Sequence, residues 1–133
     1  MQKKSNLFVF TKTKDLAKYI ITITEKSPKK FRFTLVVRIQ NYILDTIENI
    51  YIANQCSDAE ERIRHQNKAK ILLSMLDYFC QIALDRQCIN FHQYEQISKQ
   101  QAECLLYLNK WKASTVKQVS AAKAGAIQGE VTE

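Results

Sequence analysis

Glycine and proline are almost missing from this chain. Of its 133 residues only two are Gly and one is Pro, and both glycines, Gly125 and Gly129, fall in the last ten positions. The body therefore has no glycine for a tight hairpin turn or a phosphate-cradling loop, which excludes hairpin-rich sheet proteins and nucleotide-binding α/β folds. Helices joined by short polar loops remain. Long apolar runs are missing too, so no membrane span is expected. The stretch Met1 to Phe10 is a poor signal peptide, and a cytoplasmic location is expected.

Chemistry is equally scarce. The histidines are His65 and His92, so a catalytic cysteine would have only these two as its base. The four cysteines, Cys56, Cys80, Cys88 and Cys104, lack the close Cys-Cys or Cys-His spacing of a zinc site. They read as reduced core thiols. Di-iron bundles need Glu-x-x-His on two helices. Here His92-Gln-Tyr-Glu95 has the reverse order and occurs once. No catalytic residue, metal or cofactor is expected, and the chain reads as a non-enzyme. Asp45, Glu48, Asp77 and Asp85 fall on polar arcs and are expected in solvent.

What is present is helical periodicity. Thr11 or Thr13 suits the cap of a first helix running to about Lys26, with Leu16, Ile20 and Ile23 on one face. Ser27-Pro28 breaks it. A second helix, from Pro28 or Phe31 to Asn54, carries Ile39, Ile43 and Ile50, with a parallel row of Val37, Leu44 and Tyr51. Ser57 or Asp58 suits the cap of a third helix to about Arg86, with Leu72, Leu73, Met75, Leu76 and Phe79. Asn90 suits the cap of a fourth helix to Ala113, with Ile97, Leu105, Leu108 and Trp111. The expected fold is all-α: an antiparallel, up-down-up-down four-helix bundle over residues 1–113. Residues 1–10 read as a loose arm. Residues 114–133, low in bulk, read as a disordered tail dispensable for folding. The apolar arcs of the second and third helices are wider than one bundle needs, which implies a homo-oligomer with those helices at the contacts.

Charge is concentrated at the front. The net charge is +7, yet residues 1–38 hold ten Lys and Arg against Asp15 and Glu25, a net +8, and the remainder is −1. Lys12, Lys14, Lys18, Lys26, Lys29, Lys30, Arg32 and Arg38 are therefore the candidate nucleic-acid contacts. Such a surface holds phosphate, with weak sequence preference and steep salt dependence.

Four segments and one tryptophan then carry a resemblance. Ser27-Pro28-Lys29-Lys30-Phe31-Arg32-Phe33, Arg38-Ile39-Gln40-Asn41 and Leu44-Asp45-Thr46-Ile47-Glu48 resemble the second helix of the accessory variability determinant family. Leu72-Leu73-Ser74-Met75-Leu76-Asp77 and the late Trp111 resemble its third and fourth helices. These proteins accompany the reverse transcriptase of diversity-generating retroelements, and they are similar to the four-helix proteins encoded by intervening sequences within 23S ribosomal RNA. The resemblance covers about residues 10–113. It implies a four-helix bundle assembled as a basic pentameric ring, binding reverse transcriptase and RNA or DNA in support of mutagenic copying. The alternative it leaves open is a structural module of the intervening-sequence type with no polymerase partner. In one respect the chain departs from the family. Asp77 and Gln81 stand where arginines are frequent, which leaves the N-terminal lysines as the candidates.

Overall fold

The computed structural model describes the backbone of residues 2–132 and the side chains of residues 8–126. In chain order the elements are α1 (Gln2–Thr24), a 3-10 turn (Lys29–Phe31), one π turn (Arg32–Val36), α2 (Val37–Gln55), α3 (Ala59–Asp85) and α4 (Phe91–Thr132). The described residues contain no strand. Each helix packs on two others: α1 on α2 and α4, α3 on α2 and α4. Contacts pair rising residue numbers on one helix with falling numbers on its neighbour. Phe8 stacks on Tyr107 and Lys12 reaches Glu103. Tyr42 meets Phe79 and Asn49 meets His65. Gln66, Leu73 and Asp77 bond Thr115, Gln101 and Tyr94 in turn.

The core is the apolar stripe of each helix. Leu16 and Ile20, Ile39, Ile43 and Ile50, Leu73 and Leu76, and Ile97, Leu108 and Trp111 are all at most 1% exposed. Full burial of one such aliphatic side chain contributes about 1.5–3 kcal/mol. Cys80, Cys88 and Cys104 are buried as free thiols, and Cys56 is a half-buried free thiol. Burial pushes the Cys80 and Cys104 thiols up to about 12, so they behave as small apolar residues.

The helix ends follow local chemistry. Asp58 Oδ2 accepts from the Glu61 N–H at 3.2 Å. Asn90 and Gln93 close a reciprocal capping box, with bonds of 2.8 and 2.9 Å. Pro28, extended at φ −55° and ψ 141°, separates α1 from the 3-10 turn. The turn after α3 has the hydrogen bonds of a glycine-type cap without the glycine. Gln87 takes φ 60°, while the Cys88 and Gln87 N–H groups donate to Ala83 and Leu84 carbonyls at 2.8 and 3.0 Å.

Three expectations differ from the structure. Thr13 is not a cap: it lies inside α1, is fully buried, and its hydroxyl donates to the Val9 carbonyl at 2.7 Å. In place of a loose arm, helical backbone begins at Gln2, and Val9 is fully buried. In place of a tail after Ala113, α4 continues to Thr132. Thr115 is fully buried, Gln118 accepts from Arg62, and Lys123 lies 3.7 Å from Glu60. Weak local apolar signal hid these segments, whose described contacts are with helices distant in sequence. Met1, Glu133 and the side chains of residues 2–7 and 127–132 lie outside the described residues.

Candidate nucleic-acid interface

The break at Pro28 puts a short basic connection at one end of the bundle. Buried Ser27 anchors it: its hydroxyl donates to the Cys88 carbonyl at 3.4 Å and accepts from the Cys88 thiol at 3.6 Å. The α1–α2 connection is thereby held against the α3–α4 turn. The two flank a hollow lined by Ile23, Lys26, Pro28, Leu84, Gln87 and Phe91, among others. Phe31 is buried beneath the loop. With the backbone pinned from inside, Lys26, Lys29, Lys30 and Arg32 are left exposed. None of the four forms an ion pair among the described residues. Lys30 lies 5.0 Å from the centroid of the Phe31 ring, a weak constraint at an exposed site. Arg86, exposed on the adjoining α3–α4 turn, adds a cation that the sequence reading missed. It is far from the others in sequence, and the Ser27–Cys88 contact joins the two turns.

The remaining candidates divide. Lys14 and Lys18, one helical turn apart, are exposed on α1. Lys12 faces another way and is bound to Glu103 at 2.9 Å. That hydrogen bond, with the carboxylate's charge, raises the Lys12 pKa above its ordinary value. Arg38 lies over two rings, 5.3 Å from Phe79 and 5.9 Å from Tyr42. It stays exposed, so these contacts too are weak constraints. Lys26, Lys29, Lys30 and Arg32 thus share the Pro28 connection, Lys14 and Lys18 lie along α1, Lys12 is paired with Glu103, and Arg38 is exposed beside two rings of the α2–α3 seam.

At the opposite end two arginines are committed to the chain itself. Arg62 donates to the Ala53 and Cys56 carbonyls at 3.3 and 2.6 Å and to Gln118 Oε1 at 3.3 Å, closing the open end of α2. Arg64 pairs with Glu61. Between them the turn gathers Cys56, Glu61 and His65, whose ligand atoms all lie within 4.8 Å of one another. The sequence reading found no metal-ligand spacing there because the three become neighbours only through the α2–α3 turn.

Asp77 is half-buried rather than solvated. It accepts from the Tyr94 hydroxyl at 3.2 Å and from Gln81 at 3.1 Å. Burial first, then the Asp77 charge, raises the Tyr94 phenol above its usual range. The position thus ties α3 to α4. Elsewhere, apolar side chains stay in solvent. On α2 they are Val37, Leu44 and Tyr51; on α3 they are Ile71, Met75 and Tyr78. No helix among the described residues is long and apolar enough to cross a membrane.

The sequence pattern of the bAvd-like family matches residues 7–115. No curated protein matches the chain.

Proposed function

The chain belongs to the bAvd-like family, and from that premise we propose that it is a non-catalytic accessory protein of a diversity-generating retroelement. It binds the retroelement's reverse transcriptase and nucleic acid, and so supports mutagenic reverse transcription. The family match over residues 7–115 carries this reading. The exposed, unpaired cations around Pro28 support the nucleic-acid part. Phosphate affinity depends on charge that is free to replace condensed counterions, and Lys26, Lys29, Lys30 and Arg32 have that freedom. Lys14 and Lys18 extend the same surface, whereas Lys12 contributes only by giving up Glu103, and Arg38 is exposed beside the Tyr42 and Phe79 rings.

The pairing of helices supports an antiparallel, up-down-up-down order. The exposed rows Val37, Leu44, Tyr51 and Ile71, Met75, Tyr78 support a ring-shaped homo-oligomer, a pentamer in this reading. Side chains at seven-residue and three-to-four-residue spacing form continuous stripes on a helix, and such stripes in water mark interfaces. A ring repeats the Pro28 cluster once per subunit, turning a local field into a basic rim.

Co-purification tests the proposal. The tagged full-length chain, expressed with the reverse transcriptase of its proposed retroelement, is expected to retain that enzyme through a wash at moderate salt, and the complex to hold labelled template RNA. An oligomer that bound neither enzyme nor RNA would instead favour the structural module of the intervening-sequence type. A monomer of 15.5 kDa in sedimentation would contradict the ring.

A further inference from the structure

From the geometry of the α2–α3 turn we infer a site for a zinc-class dication, held by Cys56 Sγ, a Glu61 carboxylate oxygen and His65 Nε2. The three donor groups come from two elements. Cys56 ends α2 in extended backbone, at φ −70° and ψ 126°, and Glu61 and His65 sit one turn apart on α3. Their ligand atoms lie within 4.8 Å of one another. A tetrahedral zinc with bonds of about 2.3 Å to sulfur and about 2.0–2.1 Å to nitrogen or oxygen needs donors roughly 3.5 Å apart.

The imidazole is already oriented for the task. Asn49 is 5% exposed, and its amide nitrogen donates to the Asp45 carbonyl at 2.9 Å. Its Oδ1 is thereby turned toward His65, 3.1 Å from Nδ1, and it accepts the Nδ1 proton. In the neutral ring that leaves the lone pair on Nε2, the nitrogen facing Glu61 Oε2 at 3.9 Å. A buried amide that fixes the tautomer and rotation of a histidine is the outer support metal-binding histidines ordinarily have. Arg64 pairs with Glu61 Oε1 and leaves Oε2 for the metal.

The donor set suits a borderline-soft ion. Thiolate, imidazole and carboxylate together select zinc over magnesium or calcium, which take oxygen. Three protein ligands leave a fourth position for water. On binding, the Cys56 S–H bond breaks, its electron pair goes to the metal, and the proton leaves to the buffer. The thiolate and carboxylate then balance the dication's two charges. Of the four cysteines only Cys56 is outside the buried set, so only it offers sulfur to an incoming ion. The metal would clip the end of α2 to the start of α3, beside the Arg62 clasp.

The test uses the reduced, chelator-stripped full-length chain titrated with Co²⁺. One cobalt per chain is expected, with thiolate-to-cobalt charge-transfer absorption and the intense visible bands of a four-coordinate ion, both bleached by Zn²⁺. Cys56→Ser removes the charge-transfer band. His65→Ala and Glu61→Gln each weaken binding at least ~10-fold, while His92→Ala leaves it unchanged. Zn²⁺ raises the Tm of the parent by on the order of 5–10 °C at free metal about 100 times Kd, and that of Cys56→Ser hardly at all. Far-UV circular dichroism confirms folding, and Glu61→Gln, at a half-exposed position, serves should His65→Ala not fold. Unsaturable binding, or a charge-transfer band that survives Cys56→Ser, would overturn the inference.

Discussion

The two ends of the bundle use the same residue types to opposite effect. At the α2–α3 end, Arg62 and Arg64 are taken up by carbonyls, a glutamine and a carboxylate of the chain itself. At the Pro28 end, Lys26, Lys29, Lys30 and Arg32 face solvent without an ion pair among the described residues. The difference lies in what closes each end. Three carbonyl and amide acceptors converge on Arg62, so charge there becomes structure. At the other end Ser27, Cys88 and the Asn90–Gln93 box close the backbone with neutral groups, so charge remains available to a ligand. Counting cations along the sequence measures neither.

The largest effect expected from breaking this contrast comes from removing α4 beyond Ala113. That truncation takes away Thr115 and Gln118, leaving the fully buried Gln66 amide without its Thr115 partner and Arg62 without Gln118. A loss of about 2–4 kcal/mol is expected in urea unfolding, from an unsatisfied buried group plus newly exposed apolar surface. An unchanged midpoint would mean that the end of α4 only rests on the bundle. Next, Arg62→Ala should cost about 1.5–3 kcal/mol through its charged hydrogen bonds. Lys29→Ala at the other end should stay within about 0.5 kcal/mol. Equal costs would erase the distinction between committed and free cations.

Thiol chemistry reads the same asymmetry. At pH 8 a disulfide reagent should modify one thiol per chain quickly, Cys56, and the three buried ones only on unfolding. Because Cys80 and Cys104 titrate near 12 in the folded chain, above the ordinary thiol value, the unfolded state loses its protons first. Stability should therefore fall from about pH 9 upward. Lys12 acts in the same direction: its raised pKa contributes stability that is present below its ordinary value and lost as pH rises through the folded one. A flat alkaline limb between pH 9 and 11 would contradict these assignments. The smallest effect is a gain. Gln87→Gly, at φ 60°, should stabilise the chain by about 0.5–1 kcal/mol, seen as a later urea midpoint.

Local signals were legible and distant ones were not. Pro28, the caps at Asp58 and Asn90, and the apolar stripes of α2 and α3 stand in the sequence because each acts within one or two turns. Thr13 misled because a threonine hydroxyl can cap a helix or bond back to the carbonyl four residues earlier, and the sequence does not say which. The left-handed turn at Gln87 was hidden because that conformation usually announces itself as glycine. Of the candidate site, the cluster around Pro28 was readable as contiguous charge. The engagement of Lys12 by Glu103 and of Arg38 by Phe79 depends on helices far along the chain. So do the meeting of the α3–α4 turn with the Pro28 connection and the long reach of Arg62 to Gln118, 56 residues on.

The most direct measurement compares two triple charge reversals in one binding assay. One is Lys26→Glu, Lys29→Glu and Lys30→Glu at the Pro28 end; the other is Arg64→Glu, Lys123→Glu and Lys117→Glu at the opposite end, Lys117 being exposed on α4 one residue before Gln118. Both change the net charge equally, so an effect of overall charge alone would be the same in each. Anisotropy titrations with a labelled RNA–DNA duplex at several salt concentrations, with the oligomer checked by chromatography, separate them. The account predicts at least ~100-fold weaker binding and a salt slope shallower by about 2–3 for the Pro28 variant, and a much smaller change for the other. Equal losses in the two variants, or full binding by the Pro28 variant, would contradict it.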